Sequence, residues 1–290
     1  MGGVMPHKIT IHDYITPIKE ILAGNSADKK QKLHKLIYSL RKVNNHHLEK
    51  RYNVDQTVAK LLEPNWRAKI RKFDPAEWQA AAIDIYKRAV RLLGKVTPPE
   101  IILFPGFGAF NGRVYKLDHR PVIGCSPDFP GTVGNNLMVL LAHEYGHYIR
   151  WHKTGIRNDK GPIYLFIYEE GFATWLSTKL LPEYDLNHLF MANLHKSINM
   201  PNPKGGYFAW CRKNLPELIS ESQKALRSWD RSDLGRFFQC LRYKDDTTPI
   251  RTGYYLGYRL IEMLSEEISP RKMLTIKPTA KMISGWLEEL

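Results

Sequence analysis

The chain has 290 residues, 43% of them hydrophobic, and a net charge of +14, which gives it enough apolar material for a large core in one domain with a lobe or two closely packed ones. No apolar run is long enough to span a membrane, and three widely spaced cysteines, Cys125, Cys211 and Cys240, argue against a disulfide framework. The first eight residues have no apolar signal core, and Pro6 stands where myristoylation needs Ser or Thr, so a cytoplasmic protein is expected.

Residues 1–95 read as a helical lobe. Within it, 28–51 carries eight Lys/Arg against two acids, interleaved with Leu33, Leu36, Ile37 and Leu40 at helical spacing. That is an amphipathic basic helix whose cations form a solvated face over a buried stripe. The diffuse charge admits nucleic acid as a partner without favouring it, because no zinc-finger, P-loop or RNA-binding motif accompanies it; any such binding would be sequence-independent and steeply salt-dependent. Asp74-Pro75-Ala76-Glu77 is a capping box with proline at the first helical position, opening a long helix that runs to Gly94.

Residues 96–290 read as the catalytic region. After Pro98-Pro99 come strand-like pieces at 101–104, at 114–117 behind an Asn111-Gly112 turn, and at 121–125. A helix follows, marked by Leu137, Leu140, Leu141, Tyr145, Tyr148 and Ile149, with Asn135 or Asn136 to cap it and Gly155 past its end. A second helix covers 163–181, closed by Pro182, and further helical stretches cover 186–200, 210–229 and 254–265. The expected fold class is α+β and helix-dominated, with a small sheet before the helix of residues 137–149 and an N-terminal helical lobe.

Residues 143–147 read His-Glu-Tyr-Gly-His. On a helix, His143 and His147 lie one turn apart on one face, about 6 Å along the axis, where two imidazoles can grip one metal ion. Glu144 is rotated roughly 100° from His143, too far round for a comfortable ligand but within reach of a metal-bound water, which is the position of a general base. A charged pair, Glu169-Glu170, interrupts the otherwise apolar second helix, and buried carboxylates are expensive unless paired or metal-bound. Glu170, 23 positions after His147, is the candidate third donor. Three such donors with an open fourth position suit one Zn2+ per chain. The metzincin continuation fails, because Arg150 and Lys153 stand where it needs Gly and His; His152 falls one residue short and reads as a solvent-facing residue at the helix end.

A third element is Thr252-Gly253-Tyr254-Tyr255-Leu256-Gly257-Tyr258. The order His-Glu-x-x-His, Glu-Gly-x-Ala, Gly-Tyr-x-x-Gly-Tyr resembles a family of predicted zinc-dependent proteases within the gluzincins, over about residues 100–270. The resemblance implies a gluzincin fold, hydrolysis of a peptide or protein substrate, and a third ligand immediately before Gly171, which is Glu170 rather than Glu169. It also implies an edge strand along the cleft, for which 122–126 is the candidate. The glycines and most tyrosines of the third element read as helix packing. Tyr254 is the first candidate for a hydroxyl that donates to the oxyanion, with Tyr258, Tyr255 and His195 behind it. The alternative function is a catalytically silent or structural zinc protein that binds nucleic acid or an acidic partner; Glu144 weighs against it, since a structural site has no use for a base.

Overall fold

In a computed structural model the chain is a helix-dominated α+β protein with a four-stranded sheet; the described residues are 9–24, 27–43, 53–107, 111–129, 135–157, 160–190, 206–238 and 251–290. Two compact units divide it, 1–86 with 98–141 and 87–97 with 142–290. Among the described residues no helix is long and apolar enough to cross a membrane.

The first unit joins the sheet to the N-terminal helices. Its strands are β1 (Thr10–Asp13), β2 (Glu100–Leu103), β3 (Gly112–Leu117) and β4 (Arg120–Cys125), in the order β1-β2-β4-β3. β1 pairs in parallel with β2 and β2 with β4, while β3 and β4 form an antiparallel hairpin. The expectation that 122–126 is an edge strand is therefore corrected: β4 is paired on both sides, and β1 and β3 are the edges. The burial of Val122, Ile123, Gly124 and Cys125 is what an inner strand requires. The hairpin turns at Asp118 and His119, both left-handed with φ of 43° and 68°, the conformation of a tight two-residue hairpin; Asn111-Gly112 instead opens β3.

The helices α1 (Ile15–Ala23), α2 (Lys29–Val43), α3 (Val54–Leu62) and α4 (Pro64–Ile70) follow, and α5 (Pro75–Leu93) passes into the second unit at Lys87. The Asp13 carboxylate at the end of β1 accepts the amides of Ile15 (2.8 Å) and Thr16 (3.0 Å), so one residue closes a strand and starts a helix. α2 buries Leu33 and Ile37 while Lys30, Lys32 and Lys35 are exposed, the solvated basic face its composition implied; residues 44–51 of that stretch lie outside the described residues. Asp74 accepts the amide of Ala76 at 2.9 Å, and Gly94, at φ 75°, ends α5. The buried Asp128 accepts from the Trp66 indole (2.9 Å) and from the amides of Gly106 (2.8 Å) and Phe107 (2.7 Å), so this carboxylate has a bracing role.

α6 (Asn135–Thr154) enters the second unit at Ala142. Asn135 and Asn136 are its first two residues, so the capping position lies outside the described residues; at the other end Gly155, at φ 74°, donates to the Trp151 carbonyl at 2.8 Å. Then come α7 (Ile163–Leu180), α8 (Leu186–Leu189), α9 (Tyr207–Lys213), α10 (Leu215–Ala225), α11 (Arg231–Phe238), α12 (Thr252–Leu264), α13 (Pro270–Met273) and α14 (Ala280–Glu288). α7 is buried on every side from Ile167 to Ser177, as a helix inside a bundle must be. Small residues let its neighbours approach. A Cβ on Gly146 would lie 2.8 Å from the Ala173 Cα, and one on either Gly171 or Gly257 would overlap the other helix's backbone. The second glycine of the Gly-Tyr run thus fits α12 against α7 by backbone contact, and the tyrosine before it in chain order, Tyr255, fills a core cluster with Tyr207, Cys211 and Leu218.

Candidate metal centre

α6 presents His143 and His147 on one face, and the close crossing at Gly146 and Ala173 brings α7 near enough for Glu170 to meet them. The Nε2 of His143 lies 3.2 Å from the Nε2 of His147 and 3.1 Å from the Oε2 of Glu170, and His147 Nε2 lies 3.3 Å from the same oxygen. Donors about 2.05 Å from one ion at tetrahedral angles would stand ~3.3 Å apart. The triangle therefore fits a zinc-sized ion with N and O ligands. Among the described residues this is the group of three metal-ligating side chains that could hold one.

The electrostatics suit a cation. Burial opposes the charge on Glu170, but the charge and hydrogen bonds of the two histidines outweigh it and hold the carboxyl well below its ordinary range, so it is ionised. Burial pulls His143 down, and His147 and Arg251 add to this against the pull of Glu170, so His143 is neutral at pH 7 and offers a lone pair. Burial also lowers His147, but the charge and hydrogen bond of Glu170, with Glu144 behind them, reverse the balance and raise it. When the Nε2 lone pair of His147 faces the centre, its proton sits on Nδ1, a buried atom with no protein acceptor among the described residues.

Glu169 is separated from this centre by its partner. Its carboxylate receives the Arg150 guanidinium through Nε at 3.0 and 2.9 Å and through a terminal nitrogen at 2.6 Å. The remaining Arg150 donors go to the carbonyls of Met273 (3.0 Å), Leu274 (3.2 Å) and Ile276 (2.9 Å), and the guanidinium lies 4.5 Å from the Tyr168 ring centroid. All five N–H groups are used, and both side chains are buried. Glu169 is thus a buried structural acid, and Glu170 is the acid that faces the histidines. Replacing Glu170 by Ala should lower metal affinity far more than replacing Glu169, read by competition titration with a chromophoric chelator; the opposite ranking would transfer the ligand role to Glu169.

Glu144 is buried on α6 beside His143, and its charge is felt at both His147 and Tyr254. The Tyr254 ring stacks on His143 with centroids 6.0 Å apart and planes 30° off parallel. Burial, with Glu170 and Glu144 also contributing, raises the Tyr254 phenol against the pull of Arg251, so it stays protonated and can donate. The other candidates fall elsewhere. Tyr258 donates to Glu262 at 2.6 Å, Tyr255 is in the core cluster, and His195 lies outside the described residues. His152 is exposed, as expected.

Sequence reasoning passed over two residues here. Arg150 carried no local signal, since its acceptors are Glu169 on another helix, 19 positions on, and carbonyls 123 to 126 positions away. Arg251 carried none either, yet it sits over the Tyr254 ring at 3.9 Å from the centroid. Comparisons with protein-family models, with curated proteins and with solved structures find no match, so the geometry itself carries the case for the centre.

Proposed function

We propose that the chain is a zinc-dependent peptidase of gluzincin type, with His143, His147 and Glu170 as ligands. The observation that carries this reading is Glu144: a second buried carboxylate beside the donor triangle, which a structural metal site does not need. Zinc held there supplies Lewis acidity for the scissile carbonyl and for the attacking water. Glu144 accepts the proton of that water and returns it to the leaving amine nitrogen. The Tyr254 hydroxyl donates a hydrogen bond to the oxygen of the tetrahedral oxyanion. A cytoplasmic location belongs to the same reading and accords with Cys125 and Cys211 lying outside any disulfide.

The test is metal content together with peptide hydrolysis. Protein made in zinc-replete medium should carry about one zinc per chain, cleave a quenched fluorescent peptide library, lose that activity to a chelator and regain it with zinc. Protein that holds no metal and gains none on titration refutes the reading. Tyr254→Phe should cut kcat by about 10²-fold with zinc affinity unchanged, because a donor of this kind acts mainly in the transition state. Wild-type kinetics in that variant would return Tyr254 to a packing role.

A further inference from the structure

A cleft of about 580 Å³ opens in the second unit between α10, with the two residues that follow it, and α14. Its volume falls within the range of small-molecule sites. None of its lining residues takes part in the candidate metal centre. One wall carries Lys224 and Arg227 and the other carries Lys281, all three exposed. Among the described residues these cations have no carboxylate partner. Three like charges around one opening repel one another, a small cost in water that an anion in the cleft offsets. The acid of the lining is Glu288, seven positions along α14 from Lys281 and so about 10 Å away. Its carboxylate lies 3.4 Å from the Ser284 hydroxyl, longer than a well-formed hydrogen bond. Both groups therefore keep capacity for a ligand.

Gly285 is an independent sign. It lies inside α14 and lines the cleft, although glycine inside a helix weakens it relative to alanine. At Gly146, Gly171 and Gly257 a neighbouring helix leaves no room for a Cβ, which accounts for the glycine. At Gly285 a Cβ would meet no atom within 4 Å, and the backbone is not left-handed. Neither packing nor conformation requires a glycine there. What the missing side chain leaves is open space in the wall of the cleft, where a ligand reaches the helix backbone.

The lining names the ligand chemistry. Guanidinium and ammonium groups match the oxygens of a phosphate, and a carboxylate beside a hydroxyl matches alcohol groups. We propose that the cleft between α10 and α14 binds a small polyhydroxylated molecule that carries a phosphate group, as a sugar phosphate or a nucleotide does. The proposal does not rest on the peptidase reading.

Isothermal titration calorimetry on the full-length protein tests it, with ribose 5-phosphate, AMP, inorganic phosphate, ribose and adenosine as probes. Ribose 5-phosphate or AMP is expected to bind about 10-fold or more tightly than its uncharged counterpart, the range of a hydrogen bond between charged groups, and more tightly than inorganic phosphate. Preference for AMP over ribose 5-phosphate identifies a nucleotide, and equal or reversed affinity identifies a sugar phosphate; either supports the proposal if it depends on the cleft. Phosphate also has affinity for a metal ion, so two variants remote from the donor triangle assign the binding. Lys281→Glu, at an exposed position, should weaken it by about 10-fold or more with an unchanged thermal midpoint. Gly285→Leu should abolish it while raising the midpoint by a few degrees, because leucine is the better helix former. A lowered midpoint in Gly285→Leu would overturn the argument from that glycine, and Lys281→Glu alone would then decide. The proposal is overturned if neither phosphorylated probe binds, if inorganic phosphate binds as tightly as they do, or if their binding survives in both variants. A single-stranded oligonucleotide that binds where AMP does not would overturn it in favour of a polymer surface.

Discussion

Glu144→Gln is expected to bind zinc as the wild-type protein does and to lose about 10³- to 10⁴-fold in kcat, the upper part of the range for a positioned general base. At 1.36 kcal/mol per decade this is roughly 4 to 5.5 kcal/mol of barrier. The substitution preserves size and keeps one carbonyl oxygen, so the packing around this buried side chain changes little. What is removed is the capacity to take and return a proton. Metal content by elemental analysis and kcat on a fluorogenic peptide, measured on the same preparation, check both halves of the expectation. Full turnover with full metal content would mean that the base is another group, while loss of metal would mean that Glu144 is a ligand.

Glu169→Ala is expected to act on stability. The substitution leaves the Arg150 guanidinium, wholly buried, without its counter-charge. Breaking a buried pair in this way costs about 3 to 5 kcal/mol, which in a unit of this size lowers Tm by roughly 10 °C. Arg150→Lys should not be tolerated either, because one ammonium cannot replace five N–H groups that serve a carboxylate and three carbonyls. The double replacement Arg150→Met with Glu169→Leu should recover much of the loss, since it removes both charges together. Thermal and urea unfolding of the four proteins would decide it. An unchanged midpoint for Glu169→Ala would show that the clamp contributes nothing net.

The contrast between these two carboxylates also shows what a sequence discloses. His143, Glu144 and His147 could be read because four residues of helix fix their geometry locally, and Glu170 because a charge in an apolar helix needs a reason. The same signal could not tell why Glu169 is there, since its partner comes from another helix and that partner's acceptors come from a segment more than a hundred residues on. The helices of residues 75–93, 163–180 and 252–264 were legible from caps, breakers and spacing. β1 was not, because four residues, Thr-Ile-His-Asp, carry too little pattern to separate them from a loop. The Asp118-His119 turn lacks the glycine that usually marks its conformation, and the inner place of β4 depends on which strands pair, which no local pattern encodes. Gly171 and Gly257 could be suspected of close packing, but that they meet each other emerges only when α7 and α12 are side by side.

The Arg150 clamp has a consequence for how the protein comes off the ribosome. Its donors sit at the end of α6, but its last acceptor, Ile276, is made 126 residues later, a lag of about 6 to 25 s at ordinary rates of synthesis. For that interval Arg150 and Glu169 have no carbonyls over them, and the Tyr168 hydroxyl has not yet met Met273, its acceptor at 2.9 Å. The helix that carries Glu170 is thus the last part of the centre to be anchored, although its residues are among the earlier ones of the second unit to be translated. A nascent chain carries both histidines long before it can hold them rigidly against their third partner, and the clamp closes only once Ile276 has been made.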